Sequence, residues 1–372
     1  MRFLHVSDTH IGFAAYSRVG ADGLNQRELD FFAAFDRAIS LAIQEKVDFV
    51  FHTGDLFDSV RPTNRAISHV LAQAMRLHEA RIPFVILSGN HEAPRLRETG
   101  AVLRLLDFIP GVHSVYKGAT ETVRIGKCAI HAVPHAANNE ALLEQLRAVK
   151  RDPDATWTIA GLHAGVLGVG DFRTGEFHEQ VVPQNELPQG LDYVAMGHYH
   201  RAVEVAPKCW YAGSTERCTF KEAGEEKSVN LVDLAKGSVE VRVLETCPML
   251  DLPTLRCEGM PDADIPGALW WALTQHDVTD AVARLRVTGL PAHVYATLDH
   301  ERIKTLTAGA LHFELVPEIV RANAEGMASE TLGALPDEFA AFLSRRSLSG
   351  GERDELQAMA KSLLEAAASG DA

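Results

Sequence analysis

Residues 3–12 read FLHVSDTHIG. A short apolar strand over 3–6 runs directly into Ser7-Asp8-Thr9-His10. On a strand, side chains two residues apart point the same way. If extended geometry persists just past the strand end, the Asp8 carboxylate and the His10 imidazole face one point. That is the start of a metal site. A single pair proves little; other strands have to end in the same way.

Four more do. FVFHTGDLFD (49–58) delivers Asp55, and FVILSGNHE (84–92) delivers Asn90 and His91. TIAGLHAG (158–165) delivers His163, and YVAMGHYH (193–200) delivers His198 and His200. In open α/β sheets, functional groups lie beyond the carboxyl ends of the strands. These side chains would therefore line one rim. Gly54, Gly89 and Gly197 follow their strands directly, where each would allow a sharp turn. Each motif alone has a plain structural explanation: a turn at Gly-Asp, an Asn-based turn carrying a surface His, or half-buried sheet histidines at 198 and 200. Repeated on five strands, metal binding accounts for all of them.

The donor set is Asp8, His10, Asp55, Asn90, His163, His198 and His200, with His91 to spare. That is too many for one ion and suits two ions sharing a carboxylate. Phosphoryl chemistry uses such a metal pair, about 3.5–4 Å apart, to bind substrate oxygens and activate water. The donors are oxygen and nitrogen only, which favours manganese, iron or magnesium over structural zinc.

The chain has 372 residues, enough for one large domain and a smaller one. Hydrophobic residues make up 46%, ample for a packed core and unlike a disordered composition. No apolar run approaches the roughly 18 residues that span a bilayer, and no basic leader precedes an apolar stretch. The five cysteines form no Cys-x-x-Cys pair. These features lead to the expectation of a cytoplasmic protein with reduced thiols and no membrane partner. The net charge of −14 opposes general nucleic-acid binding. Bound divalent ions would offset carboxylates in the site, and local basic patches can survive an acidic average.

From 1 to about 245, β-rich runs alternate with helical stretches. Helices are expected over 24–46, 65–81 and 97–107, and strands over 48–53, 83–88, 128–133, 156–162 and 192–196. After 201, short strands follow one another (203–206, 209–212, 228–234, 238–244). The expected fold class is α/β: two stacked mixed β-sheets flanked by helices, the second sheet largely antiparallel. Residues 246–253 read as a boundary. A small α+β domain over 246–316 follows, with helices at 262–275 and 299–306 and strands at 281–288, 292–298 and 311–316. Residues 317–372 read as an acidic helical tail, with ten Asp or Glu against five Lys or Arg.

The order D-x-H, G-D-x-x-D, G-N-H-[DE], H, G-H-x-H resembles the calcineurin-like metallophosphoesterase signature. HVSDTHIG, GDLFD, SGNHE, DYVAMGHYHR and YAGSTE resemble its SbcD-type DNA-repair exonucleases more finely. The likeness covers 1–245; the following domain matches that family's capping domain in order and size. The resemblance implies a two-metal DNA nuclease, exonuclease or endonuclease or both, that uses manganese. It would process double-strand breaks with an SbcC-like, SMC-type ATPase. Asp8, His10 and His200 would hold one ion and Asn90, His163 and His198 the other. Asp55 would bridge them, and His91 would face the scissile phosphate. The resemblance also implies homodimerisation, with 65–81 and 95–107 as the expected surfaces. Two positions depart from the pattern. Asp58 stands where archaeal and eukaryotic relatives place a second catalytic His, and Glu92 stands where Asp is commoner.

Arg61, Arg65, Arg95, Arg97, Arg201 and Arg217 lie near the metal motifs and could form a basic rim for DNA. His5 and His52, inside strands, read as core residues. SLSGGE (347–352) looks like an ABC-ATPase signature, but the chain has no phosphate loop for it to serve. It reads better as a capping box between two apolar stripes, 339–343 and 356–364. The hairpin over 336–372 would dock on the ATPase coiled coil or fold back on its own chain. Two rival functions stand beside the nuclease: a phosphodiesterase or phosphatase acting on another substrate, and a non-catalytic scaffold.

Overall fold

The structure, a computed structural model, describes residues 1–16, 18–20, 23–93, 100–169 and 179–320, and beyond these only 339, 343, 351 and 356–360. The chain begins β1 (Arg2–Val6), α1 (Gln26–Glu45), β2 (Phe49–Thr53), α2 (Asn64–Glu79), β3 (Phe84–Leu87) and β4 (Val112–Val115). It continues β5 (Glu121–Ile125), β6 (Cys128–Val133), α3 (Asn139–Ala148), β7 (Trp157–His163), β8 (Gly165–Val166) and β9 (Val181–Val182). Then come β10 (Tyr193–Gly197), β11 (Val203–Ala206), β12 (Cys209–Tyr211), β13 (Ser228–Asp233) and β14 (Ser238–Val243). The last elements are β15 (Met249–Arg256), α4 (Ile265–Thr274), β16 (Val282–Pro291), α5 (Ala292–Ala296), α6 (His300–Leu306) and β17 (His312–Val320).

Two six-stranded sheets, β14-β13-β1-β2-β3-β4 and β11-β12-β10-β7-β6-β5, carry the fold. Phe3, Phe49, Phe51 and Leu87 of the first sheet meet Ile130, Ile159, Tyr193 and Ala195 of the second in one buried cluster. The outer face of the first sheet is covered by α1 and α2 through Phe35, Ile39, Val70 and Leu77. That of the second is covered by α3 through Leu142 and Leu146. Both α1 and α2 begin on side-chain caps. Asn25 accepts from the N–H groups of Arg27 and Glu28, and Thr63 accepts from that of Ala66.

Both sheets have a parallel centre; the first has one antiparallel edge and the second has two. β1, β2, β3 and β4 run parallel, and the β13–β14 hairpin lies antiparallel beside β1. In the second sheet β6, β7, β10 and β12 run parallel, and only β5 and β11 are antiparallel. The expectation of a largely antiparallel second sheet is thus corrected. β11 and β12 do form an antiparallel pair, but β11 lies on the outside, so β12 returns alongside β10 in the same direction. The second late hairpin joins the other sheet altogether.

Three local expectations also change. The run 292–298 has strand composition, yet α5 is helical. Pro291 is extended (φ −63°, ψ 137°) and cannot donate to a ladder, and the chain turns into a helix after it. The presumed boundary at 246–253 contains most of β15. Its ladder with β16 shifts register between Leu252 and Leu255, where Pro253 lacks an N–H. Of the expected helix over 97–107, residues 97–99 lie outside the described residues, and Val102–Phe108 is a 3-10 helix.

The chain divides into two compact units, 1–288 with 298–318 and 289–297 with 319–372. Most of β15, β16 and β17, a three-stranded sheet with β16 in the middle, lies in the first. Tyr16 stacks on His312 with ring centroids 4.1 Å apart, and the Arg284 guanidinium sits 4.2 Å over the Phe220 ring. Among the described residues no helix is long and apolar enough to cross a membrane.

Candidate metal centre

β1 and β2 leave their sheet side by side. The backbone N–H groups of Asp8, His10 and Ile11 donate to the carbonyls of Gly54, Asp55 and Leu56 at 3.1, 3.0 and 2.8 Å. Asp8 (φ 51°), His10 (φ 42°) and Asp55 (φ 54°) all adopt left-handed backbone, and His198 has φ 99°. For residues other than glycine this costs on the order of 1–3 kcal/mol each. Asp8 and His10 therefore do not converge by strand alternation. β1 ends at Val6, and two left-handed residues one apart coil the loop so that both side chains approach His200.

Asp55 stands at the middle. Its Oδ2 lies 3.2 Å from His163 Nε2, 4.0 Å from His10 Nε2 and 4.0 Å from His91 Nε2. On one side, His10 Nε2 is 3.2 Å from His200 Nε2, and His200 Nε2 is 3.9 Å from Asp8 Oδ1. On the other, His163 Nε2 is 3.1 Å from Asn90 Oδ1, and the His198 ring meets that of His163 edge-on at 5.2 Å. All seven residues expected as donors thus meet at one place, with His91 beside them. Among the described residues, three groups have ligand atoms close enough to share an ion: Asp8–Asp55–His163, His10–Asp55–His91 and His10–His200–Cys218.

The backbone comes this close because two glycines leave room. A Cβ on Gly89 would overlap the Asp55 carboxylate, and one on Gly197 would overlap Ser7 Oγ and the Thr53 carbonyl. Neither glycine has a positive φ. The sharp-turn explanation holds only for Gly54, at φ 96°.

Charges are tuned by burial and neighbours. Burial works to lower the His163 imidazole, but the Asp55 and Asp8 carboxylates outweigh it and raise it to about 9. Burial, with His163 adding to it, holds His198 down at about 3. Burial opposes ionisation of Asp55, yet His163, His91 and His10 keep it well below the usual carboxylate range.

Several contributors had no assigned role in the sequence reading. Glu92, fully buried, accepts the backbone N–H groups of Asp55 (3.1 Å), Gly89 (2.9 Å) and Phe57 (2.8 Å), so it clamps two donor loops together. The G-N-H-[DE] pattern included it but gave it no role. Asp58 offers its backbone carbonyl to His91 Nδ1 at 2.7 Å and its carboxylate to His10 Nδ1 at 3.5 Å. Lys227, buried, reaches Glu222 (2.6 Å) and the His200 carbonyl (3.0 Å), while Glu222 faces His200 Nδ1 at 3.3 Å. Burial resists the Glu222 charge, but His200 and Lys227 hold its carboxyl at about 2. Cys218 lines the same open cleft, of about 630 Å³.

Of the arginines, Arg201 lines the cleft and lies 3.6 Å from Glu225. Arg65 donates to the Glu28 carboxylate at 2.7 Å. Arg61 lines a separate pocket with Arg104 and Lys117. Arg217 points inward to Thr246 and the Cys247 carbonyl, not to a rim. Arg95 and Arg97 lie outside the described residues. His5 and His52 are core residues. His5 bridges the Tyr193 and Thr53 hydroxyls at 3.0 Å each, and His52 meets Thr9 Oγ1 at 3.1 Å.

A fold of two parallel-centred sheets with metal-type donors beyond their strand ends defines a metallophosphoesterase architecture. The family model for calcineurin-like phosphoesterases matches residues 1–202, and the chain belongs to that family. It is similar to the DNA double-strand break repair protein Mre11 of Thermoplasma acidophilum, with 30% identity over 305 residues, 76% of this chain and 72% of that one. The protein of the same name from Sulfolobus acidocaldarius is 33% identical over 202 residues, 54% of this chain and 50% of that one. Among solved structures, TT1561 of Thermus thermophilus aligns with 66% of this chain and 99% of its own at 16% identity and a TM-score of 0.40.

Proposed function

We propose that this chain is a two-metal-dependent DNA nuclease that acts in double-strand-break processing. One observation carries the metal reading: Asp55 Oδ2 lies between two donor groups, 3.2 Å from His163 and 4.0 Å from His10. The spacing of the donors fits bound ions. Ligands held at about 2.0–2.2 Å from one ion lie roughly 3.0–3.5 Å apart. The His10–His200, His163–Asn90 and His163–Asp55 pairs lie at 3.2, 3.1 and 3.2 Å. Asp8, His10 and His200 would hold one ion, Asn90, His163 and His198 the other, and Asp55 both. Manganese is the assigned ion, on an all-oxygen-and-nitrogen donor set.

When bound, the ion pair supplies Lewis acidity at the phosphate and a water more readily deprotonated. The chain's own residues orient and move protons. His91 Nδ1 donates to the Asp58 carbonyl at 2.7 Å, which leaves Nε2 to carry a proton toward the leaving oxygen. Asp58 thereby positions His91, whichever role a histidine would have had at 58. Arg201 and Lys221, on the cleft wall, supply positive charge for a phosphate backbone.

The DNA substrate rests on likeness to proteins named for double-strand break repair. The same reading assigns an SbcC-like, SMC-type ATPase as partner, docked on 336–372, a region almost wholly outside the described residues. Leu356 and Met359 are exposed there, as a docking helix requires. It further assigns a homodimer formed through α2 and 95–107, cytoplasmic location, and three domains, 1–245, 246–316 and 317–372.

Manganese-dependent cleavage of single- and double-stranded DNA, assayed beside a small phosphodiester, tests the reading. DNA cleavage that is lost in Asp55→Asn is expected. Hydrolysis of the small ester without DNA cleavage would make the protein a phosphodiesterase of another substrate. Hydrolysis of neither would leave a scaffold.

A further inference from the structure

The cleft contains a thiol that the hard-ion reading does not use. Cys218 lines it together with His10 and His200, and the three ligand atoms lie within 4.8 Å of one another. Cys128, Cys209 and Cys257 are buried elsewhere. We propose that His10, His200 and Cys218 form a binding site for a soft divalent ion of the zinc or cadmium class.

Two imidazoles and a thiolate are the donors that select zinc-class ions, and three protein ligands leave the fourth tetrahedral position open. The spacing of the two imidazoles fits any ion held by both, and the cysteine is what favours a soft one. Two imidazole nitrogens held at 2.0–2.1 Å from a tetrahedral ion lie about 3.3 Å apart. His10 Nε2 and His200 Nε2 stand at 3.2 Å. Two nitrogens that close share a proton or a cation. His10 is only 3% exposed, while His200 faces the open cleft, from which an ion can enter. On ligation the thiol releases its proton to solvent, and the thiolate sulfur bonds the ion. Glu222, opposite His200 Nδ1 at 3.3 Å, fixes the ring that presents Nε2.

The consequence is competition. Zinc-class ions bind nitrogen and sulfur donors more tightly than manganese does. A soft ion here would take His10 and His200 from the proposed manganese position. The soft-ion site stands on its own ligand geometry and does not require that reading.

The test is titration of the full chain with cadmium or cobalt(II), followed by ultraviolet absorption for thiolate-to-metal charge transfer. The expected result is a saturable band that Cys218→Ser abolishes and Cys247→Ser retains. No band, or a band that survives Cys218→Ser, overturns the proposal. If Cys218→Ser fails to fold, alkylation of the unaltered chain decides: cadmium that protects Cys218 supports the site, and unchanged labelling overturns it. Manganese stoichiometry on samples never exposed to cadmium or cobalt reports the hard-ion pair separately.

Discussion

The Asp8 carboxylate accepts the backbone N–H of His198 on both oxygens, at 3.0 Å each. This bond ties the end of β1, in one sheet, to the end of β10, in the other. Asp8 is fully buried, so the bond is shielded from water. Asp8→Ala leaves the His198 N–H without its acceptor, which costs about 1–3 kcal/mol. Urea unfolding in the presence of chelator should show the loss. Asp8→Asn keeps one carbonyl acceptor and should cost less; equal stability of both variants with the parent would refute the structural role.

Gly89→Ala and Gly197→Ala should each damage the centre without altering a donor. The added Cβ would enter the Asp55 carboxylate in the first case and Ser7 Oγ in the second. Overpacking of this kind costs typically about 1–3 kcal/mol, and here it also displaces a donor loop. Manganese binding by isothermal calorimetry should weaken in both. Gly224→Ala, where nothing lies within 4 Å, is a control for handling, though its φ of 78° adds strain of its own.

His91→Ala should leave manganese binding nearly intact and slow DNA cleavage by roughly 10²–10⁴-fold, the usual contribution of a general acid. Asp55→Asn should lower the bound manganese from about two equivalents. Elemental analysis beside the cleavage assay separates the two. If His91→Ala strips an ion instead, His91 is a ligand and not the general acid.

Stability should fall as the solution is acidified, in part through His5. Burial lowers this imidazole from 6.5 to about 3, so it stays neutral in the fold. Between those values the unfolded chain binds a proton that the native state refuses. Stability therefore rises with pH across this window and is lost as pH falls through about 6.5, with a slope approaching roughly 1.4 kcal/mol per pH unit per group. His52, also lowered to about 3 by burial, adds in the same direction. Urea midpoints between about pH 7 and pH 5 should show a shallower slope for His5→Gln than for the parent. Parallel slopes would mean that His5 is not held neutral.

Much of this architecture was legible locally. Apolar runs such as Phe49–Phe51 and Phe84–Leu87 marked strands because both faces of a central parallel strand are buried. The spacing of Phe32, Phe35 and Ile39 marked α1 because one stripe of a helix packs on a sheet. The strand-end positions of Asp55, Asn90, His163 and His198 could be read for the same reason: a polar group directly after a buried strand stands at the sheet rim.

Strand direction, backbone handedness and long-range neighbours could not be read in that way. An apolar strand looks alike whether its neighbour runs parallel or antiparallel, so β12 beside β10 was decided by the path of the whole chain. Left-handed backbone at Asp8 and His10 is costly in isolation. It persists only because the Gly54 and Asp55 carbonyls and the His198 N–H hold it from outside. Arg217 and Lys227 carry surface-type side chains, yet Arg217 turns inward to its partners and Lys227 is buried. The sequence determined which donors stand at which strand ends, since burial and turns are local properties. Tertiary structure alone decided how close those donors come, and that Cys218 stands among them, because these distances depend on contacts between residues far apart in the chain.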